Sequence, residues 1–369
     1  MYTSINKRKV NKGRSDGNVL GQKLSPKIIS WFMELKAQDS SVENLLRSQI
    51  ILFNSRKKWG LLFALATLSG LFCIPLSSEL FPNSYLTSGN KDVLTLGVFL
   101  LPISTLLVIT GMYVFNDLID ADLDRANGKT KRPIPSGKIP KNHAVIFIIV
   151  INIVGITIPA LTGNFVGLFF ISIIALIGVL YSLPKVSLKD KFVIKTLAIA
   201  IAMMCSLLLG SSMYLDSVFR TGSGSILVPT FSGVIVALMV FVTSPLNDIG
   251  DINGDKAAGR RTIPIVIGKE QTVWASLATA SVMAIISWSI YAVEILSTPN
   301  SEINIYSLSN SKLVFPLAIS FISIITIIHL LSTMKEIDNQ NFLRNSVIKK
   351  SMPLHILLQF SLAIGCLLF

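Results

Sequence analysis

Apolar runs of about twenty residues recur along the chain, and short polar segments that hold most of the charge separate them. A run of this length and composition is typical of a helix that crosses a membrane. None of the runs has the alternating pattern that indicates a membrane β-barrel. The pattern predicts an all-α polytopic membrane protein with about nine transmembrane helices. Their expected positions are 59–80, 93–115, 144–161, 164–183, 192–215, 226–246, 273–294, 313–332 and 351–369.

The distribution of basic residues predicts the orientation of these helices. Nine spans would leave all but three of the 33 Lys and Arg residues, namely Lys91, Arg220 and Lys312, on one side of the membrane. Basic loops favour the cytoplasmic side. We therefore expect the N-terminus and the basic loops in the cytoplasm and the C-terminus outside. Anionic membrane lipids account for the net charge of +13, so no nucleic-acid partner is expected.

The chain divides into two regions that differ in composition. Residues 1–44 are predicted to form a basic cytoplasmic arm, partly disordered or amphipathic, and residues 45–369 the transmembrane domain. Cys73, Cys205 and Cys366 lie in apolar runs without paired spacing. They are expected to be small core residues rather than a disulfide framework.

One acidic motif occurs twice. Asn116-Asp117-x-x-Asp120-x-x-x-Asp124 returns as Asn247-Asp248-x-x-Asp251-x-x-x-Asp255, with every member 131 positions later. The copies follow the second and the sixth predicted spans, so both emerge on the same side of the membrane. We call Asp117, Asp120 and Asp124 the first acidic patch, and Asp248, Asp251 and Asp255 the second acidic patch.

The spacing within each patch predicts a metal site. Positions i, i+3 and i+7 share one face of a helix, whereas Asp122 points elsewhere. A single acidic helix end is often only an exposed loop, but a duplication in the same register favours a function. Two such faces brought together would repel each other unless divalent cations lay between them. Carboxylates without His or Cys favour Mg²⁺.

The ligand of such a site is expected to be a diphosphate with an apolar remainder. Mg²⁺ held by a few carboxylates usually completes its coordination with water and substrate phosphates. Lysines and arginines near the ends of the spans, such as Arg132 and Arg260, would bind the same phosphates. An isoprenyl diphosphate has the required chemistry, and metal and cations would stabilise the departing diphosphate.

Together with 181-YSLPK-185, the two motifs resemble the UbiA superfamily of intramembrane prenyltransferases. The resemblance covers roughly residues 45–369 and implies two pseudo-repeated four-helix units around a central cavity. It implies transfer of a prenyl chain from its diphosphate to a lipophilic acceptor, with two Mg²⁺ ions. The six aspartates of both patches would bind the metal and act in catalysis together with Tyr181. The residues implied to bind the diphosphate are Asn116, Arg132, Lys185, Arg260 and Arg261.

The acceptor is less well defined by the sequence. The segments 132-RPIPSGKI-139 and 251-DINGDKAAGRRTIPIVIGK-269 resemble members that prenylate glycerol-phosphate lipids, and also chlorophyll synthases. We expect a glycerol-phosphate lipid. The alternatives are an aromatic acceptor, as in the prenylation of quinone precursors, or a terpene cyclase on the same fold. A cation transporter would place its carboxylates in mid-span, and a scaffold protein would not need the duplicated acidic face.

Overall fold

The computed structural model describes residues 26–74, 91–126, 132–222, 224–297, 313–339, 343 and 348–368. The chain forms two compact units, Met1–Arg47 and Ser48–Phe369. In the smaller unit the described residues are helical, and an exposed ion pair joins Arg47 to Glu43 at 2.6 Å. The cytoplasmic arm that the sequence indicates in residues 1–44 stays a prediction.

The regular elements of the described ranges are all helical, as the sequence predicts. One 3₁₀ turn covers Leu188–Asp190. The part of the first helix from Ser48 onward belongs to the larger unit. In chain order the α-helices are α1 (Pro26–Phe72), α2 (Lys91–Ile119), α3 (Ala121–Ala126), α4 (Lys141–Leu161), α5 (Phe165–Ser182), α6 (Phe192–Gly210), α7 (Ser212–Thr221), α8 (Leu227–Gly250), α9 (Ile252–Ala257), α10 (Ile263–Ile267), α11 (Lys269–Ser297), α12 (Val314–Lys335) and α13 (Ile348–Leu368).

Seven of the described helices are long and apolar enough to cross a membrane, namely α2 from Phe99 onward, α4, α5, α6, α8, α11 as far as Val293, and α12. Residues 351–367 of α13 form a shorter apolar stretch. The predicted first span, 59–80, is helical as far as Phe72, and 75–90 lie outside the described residues. The predicted number of nine spans therefore stays a prediction. The apolar side chains of Phe169, Ile285 and Phe321 are 60–63% exposed, as lipid-facing residues are.

The long helices pack as two groups of four. In the first group, α2 packs against α4 and α5, and α5 packs against α6. In the second group, α8 packs against α11 and α13, α11 against α12, and α12 against α13. The groups meet where α6 packs against α8. This arrangement agrees with the predicted pair of four-helix units.

Helix α1 packs against the first group through glycines. A Cβ atom on Gly70 would lie 2.0 Å from the carbonyl oxygen of Leu207, and one on Gly210 would lie 2.0 Å from that of Thr67. The backbones of α1 and α6 therefore touch, which only residues without a side chain permit. This close crossing brings Phe63 of α1 to the wall of the cavity described below.

The repeated motif has the same local structure in both copies. Helix α2 ends at Ile119 and α3 follows after a single turn residue, Asp120; α8 ends before Asp251 in the same way, and α9 follows. Hydrogen bonds continue across both breaks, since the amide of Asp124 donates to the carbonyl of Asp120 at 2.8 Å. The amide of Asp255 likewise donates to the carbonyl of Asp251 at 2.9 Å. The two copies of the motif therefore share their local structure as well as their sequence.

The fold also brings together two cysteines from opposite ends of the chain. Both are buried free thiols, and the Sγ atoms of Cys73 and Cys366 lie 2.6 Å apart. Cys205 is buried in the same apolar core. The spacing of cysteines along the sequence carries no signal for this contact, because 293 positions separate the pair.

We expect a small thiol oxidant such as diamide to join Cys73 to Cys366, because a disulfide needs its sulfur atoms at close range. Peptide mapping by mass spectrometry after alkylation measures the cross-link, with Cys205 as the internal control that stays alkylated. Separate alkylation of Cys73 and Cys366 after oxidation would contradict the contact between Cys73, which follows α1, and Cys366 of α13.

Candidate active site

The first acidic patch is buried and faces arginines. Asp117, Asp120 and Asp124 are 2%, 8% and 4% exposed. Arg56 of α1 binds Asp117 through two donors, with Nε 2.5 Å from Oδ2. Arg132 donates from Nη1 to Oδ1 of Asp117 at 3.2 Å and also binds Asp124. Buried carboxylates remain ionised only beside such partners.

A buried lysine completes the environment of Asp120. Lys189, in the 3₁₀ turn, donates from Nζ to Oδ1 of Asp120 at 2.6 Å and to Oδ1 of Asn116 at 3.1 Å. Ser182 donates to the same Asn116 oxygen at 3.2 Å. The side-chain amide of Asn116 therefore orients Lys189 toward the first patch.

Arg260 joins the two acidic patches. Its Nη2 atom lies 3.5 Å from Oδ2 of Asp120, and its Nη1 atom lies 3.2 Å from Oδ1 of Asp255. Its Nε atom donates to Asp190 at 3.1 Å. Burial alone would lower the pKa of Arg260, but the neighbouring carboxylates of Asp255, Asp120 and Asp190 outweigh burial and raise the pKa. One guanidinium thus binds both copies of the repeated motif, so the two patches converge.

The second acidic patch is paired less completely. Lys195 of α6 donates from Nζ to Oδ1 of Asp248 at 2.5 Å, whereas the buried Oδ2 of Asp248 has no hydrogen-bond partner among the described residues. Asp255 is buried beside Arg260, and Asp251 is exposed. A buried, unpartnered carboxylate oxygen is costly unless a cation binds it.

The donors of the two patches fit a hard divalent cation. All of them are carboxylate oxygens, and no hydrogen bond from the described residues reaches one oxygen of Asp248. Within the described residues, no three carboxylate, imidazole or thiol groups are gathered as a ready ligand set. The carboxylates are directed instead toward arginine and lysine. Binding of a metal would therefore require some of these ion pairs to open.

An apolar cavity opens beside the first patch. It has an empty volume of about 620 Å³. Its polar residues are Asn116, Tyr181 and Ser182 near the patch, together with Tyr113, whose ring stacks on Trp59 with centroids 5.6 Å apart. The other lining residues are Phe63, Ile109, Met112, Ile174, Ile177, Gly178, Ala198, Ile199 and Ala202. Asn116 and Ile109 are seven positions apart on α2, so the cavity extends about 10 Å along this helix.

The structure brings together most of the residues predicted from the sequence. Arg132 and Arg260 contact the acidic patches, Asn116 contacts Lys189 beside the first patch, and Tyr181 lines the cavity. Lys185 and Arg261 are exposed at the protein surface. Arg261 contributes its backbone amide, which donates to the carbonyl of Asp190 at 3.0 Å. In the described ion pairs, the lysine of this loop that reaches the first patch is Lys189.

Three of the cations at the site were outside the predicted set. Lys189 is one of the lysines and arginines near the ends of the spans that are expected to bind phosphate, but it was not assigned to the site. Arg56 was counted only among the basic residues that orient the helices. Lys195 lies within the first turn of an apolar helix, and an ionisable residue in such a place indicates a function by default. That signal was available in the sequence for Lys195. The sequence carried no such signal for Arg56, whose contact with Asp117 depends on the crossing of α1 and α6.

The chain belongs to the UbiA prenyltransferase family, whose model matches residues 80–301, more than half of the chain. A digeranylgeranylglyceryl phosphate synthase of Sulfolobus acidocaldarius is 30% identical over 177 residues, which are 47% of this chain and 59% of that protein. The match thus spans less than two thirds of that relative.

The fold agrees with solved structures of this family. A structure concerned with digeranylgeranylglyceryl phosphate synthase in membranes aligns with a TM-score of 0.58 at 21% identity, over 88% of this chain and 99% of that one. A UbiA homolog from Archaeoglobus fulgidus, bound to GPP and Mg²⁺, aligns with a TM-score of 0.53 at 16% identity, over 86% and 99% of the two chains. At these identities the likeness concerns the fold.

Replacing Arg260 by Met is expected to destabilise the protein by about 1–3 kcal/mol in the absence of metal, because Asp120 and Asp255 would lose a shared buried partner. Thermal unfolding in detergent, followed by intrinsic fluorescence, measures the change. Lys141→Met is the matched control, since Lys141 pairs with the exposed Asp122 at 3.1 Å and both side chains are more than half exposed. Equal unfolding temperatures for the two variants would show that Arg260 does not hold the patches together.

Proposed function

We propose that this protein is a Mg²⁺-dependent prenyltransferase that transfers an isoprenyl group from its diphosphate to a lipophilic acceptor. One observation carries the proposal. Arg260 binds Asp120 of the first patch and Asp255 of the second, and the first patch adjoins an apolar cavity. A ligand with a charged diphosphate and an apolar chain fits this combination of surfaces.

The charges of the site support a bound diphosphate. Five of the six patch carboxylates face cationic side chains, and Asp251 is exposed. The five cations are Arg56, Arg132, Lys189, Lys195 and Arg260. The site is therefore close to neutral, with a small excess of negative charge. Two divalent ions would convert this excess into a surplus of positive charge, which a diphosphate would neutralise. Mg²⁺ would supply charge stabilisation for the departing diphosphate.

The residues of the site would bind the metal and the substrate and would exclude water. The six patch aspartates would hold Mg²⁺, and Asn116, Arg132, Lys189 and Arg260 would bind the diphosphate oxygens. Lys189 is buried beside Asn116, so we assign it the part expected of Lys185. The apolar cavity would bind the isoprenyl chain and keep water from the allylic cation. The rings of Tyr181 and Tyr113 would face that cation.

A glycerol-phosphate lipid is the acceptor class that we propose. The relative from Sulfolobus acidocaldarius is named a digeranylgeranylglyceryl phosphate synthase. A glycerol hydroxyl needs only to lie near the allylic carbon, without the activated ring carbon that an aromatic acceptor supplies. From the basic loops we further propose that the patches lie at the cytoplasmic face, where anionic lipid headgroups gather.

Incubation of the purified protein with labelled geranylgeranyl diphosphate tests this function. The acceptors are a glycerol phosphate with one isoprenyl ether, 4-hydroxybenzoate, and none, each with Mg²⁺ or with EDTA. We expect Mg²⁺-dependent product with the glycerol-phosphate lipid, identified by its mass. Product with 4-hydroxybenzoate alone would show that the acceptor is aromatic and not a glycerol-phosphate lipid. A terpene hydrocarbon without acceptor would indicate a cyclase. Unconsumed diphosphate in every arm would contradict the proposal.

Asp120→Ala is expected to lower diphosphate release at least about 100-fold, because Asp120 belongs to the site that would stabilise the leaving group. Asp122→Ala is the matched control and should change the rate less than about twofold, since this side chain is 74% exposed and pairs with Lys141. A colorimetric assay of released diphosphate measures both variants. Similar rates for the two variants would exclude the first patch from catalysis.

A further inference from the structure

Lys195 is a charged residue at the beginning of an apolar helix. It lies in the first turn of α6, and its side chain is 14% exposed. Its Nζ atom lies 2.5 Å from Oδ1 of Asp248, whose side chain is 9% exposed. A lysine this far from water keeps its charge at low cost only beside such a carboxylate.

The position of Lys195 on α6 places it between the second patch and the cavity. Ala198, Ile199 and Ala202 line the cavity, and they follow Lys195 by three, four and seven positions. Residues with this spacing share one face of a helix. Lys195 therefore lies on the cavity face of α6, one turn nearer to the acidic patches than Ala198.

Asp248 is only half satisfied by this lysine. Its Oδ1 atom accepts the hydrogen bond of Lys195, while the buried Oδ2 finds no hydrogen-bond partner in the described part of the chain. In the ion pairs of the described residues, Arg56, Arg132, Lys189 and Arg260 bind the first patch or Asp255, and Lys195 is the partner of Asp248. Among the described residues no side chain binds Oδ2 of Asp248, so this oxygen is left as a ligand for a divalent cation.

We propose that Lys195 is a resident counter-ion of the second patch that moves from Asp248 to the diphosphate when a divalent cation binds Asp248. This inference rests on the proposed function and adds a residue and a role to it. With the site empty, the ammonium group neutralises a buried carboxylate. When a metal takes over that carboxylate, the ammonium group is released at the cavity face of α6, beside the proposed diphosphate position.

The chemistry of lysine suits this exchange. Its ammonium group is a compact point charge on a flexible stem, so it can move between two anions by rotation of its own side chain. Metal and Lys195 then compete for Asp248, whereas Lys195 and the metal both attract the diphosphate. Loss of the lysine should therefore have opposite effects on the two ligands, which a residue with a merely structural role would not produce.

The test compares Lys195→Met with the wild-type protein in two binding titrations that involve no turnover. The first follows the thermal unfolding temperature against Mg²⁺ alone. The second measures binding of inorganic pyrophosphate at saturating Mg²⁺ by calorimetry. For Lys195→Met we expect half-maximal stabilisation at a Mg²⁺ concentration about tenfold lower, and pyrophosphate binding about tenfold weaker.

Two further variants serve as controls. Lys191→Met removes an exposed lysine one turn earlier, whose carbonyl accepts the hydrogen bond of the Lys195 amide, and should leave both titrations unchanged. Lys195→Gln is a second neutral variant that can still donate a hydrogen bond to Asp248. It replaces Lys195→Met in the comparison if the methionine variant does not fold, and the same pair of opposite shifts is expected.

Three results would overturn the inference. If Mg²⁺ and pyrophosphate affinities both stay at the wild-type values, Lys195 takes no part in binding. If both become weaker, Lys195 only supports the structure of the site. In either case, wild-type binding of pyrophosphate with Mg²⁺ leaves the proposed function intact. If the wild-type protein itself fails to bind pyrophosphate with Mg²⁺, the proposed function fails as well.

Discussion

The structure depends on the neutralisation of carboxylates that lie at the edge of a low-dielectric interior. Asp117, Asp120, Asp124, Asp248 and Asp255 are all buried, and each faces an arginine or a lysine. Buried charges of one sign would otherwise separate the two helix groups that carry them. Arg260 acts at the centre of this arrangement because it binds both patches at once. The cations thus allow the two acidic patches to lie close together.

The same constraint relates the fold to the proposed chemistry. A duplicated helix break presents two acidic patches from two four-helix groups, and the contact of α6 with α8 brings the groups together. An apolar cavity on the first group adjoins the patches, so a ligand with a charged head and an apolar chain would contact both surfaces. The close crossing of α1 and α6 adds Phe63 to the cavity and Arg56 to the first patch. Packing of glycines therefore contributes to the site as directly as the acidic motif does.

Much of the fold and of the candidate site could be predicted from the sequence. The contacts between distant side chains could not, because they depend on how the helices pack. The duplicated aspartates and the exposed position of Asp122 follow from spacing alone, because the period of a helix is fixed. The predicted single face of the second patch is not found, since Asp251 is exposed whereas Asp248 and Asp255 are buried. The contact of Lys189, rather than Lys185, with the first patch could not be predicted. It depends on the 3₁₀ turn that directs Lys189 toward Asn116. The contact of Arg56 with Asp117, across 61 positions, likewise depends on a helix crossing. Sequence patterns indicate which face of a helix is polar, but not which distant side chain meets it.

The most direct measurement is the location of Mn²⁺ by anomalous diffraction from crystals grown with Mn²⁺ and inorganic pyrophosphate. If the two patches act as one site, Mn²⁺ will lie against the first patch and against the second, with pyrophosphate between the ions. Manganese confined to one patch, or pyrophosphate bound away from both, would contradict the claim that the duplicated motif forms a single diphosphate site.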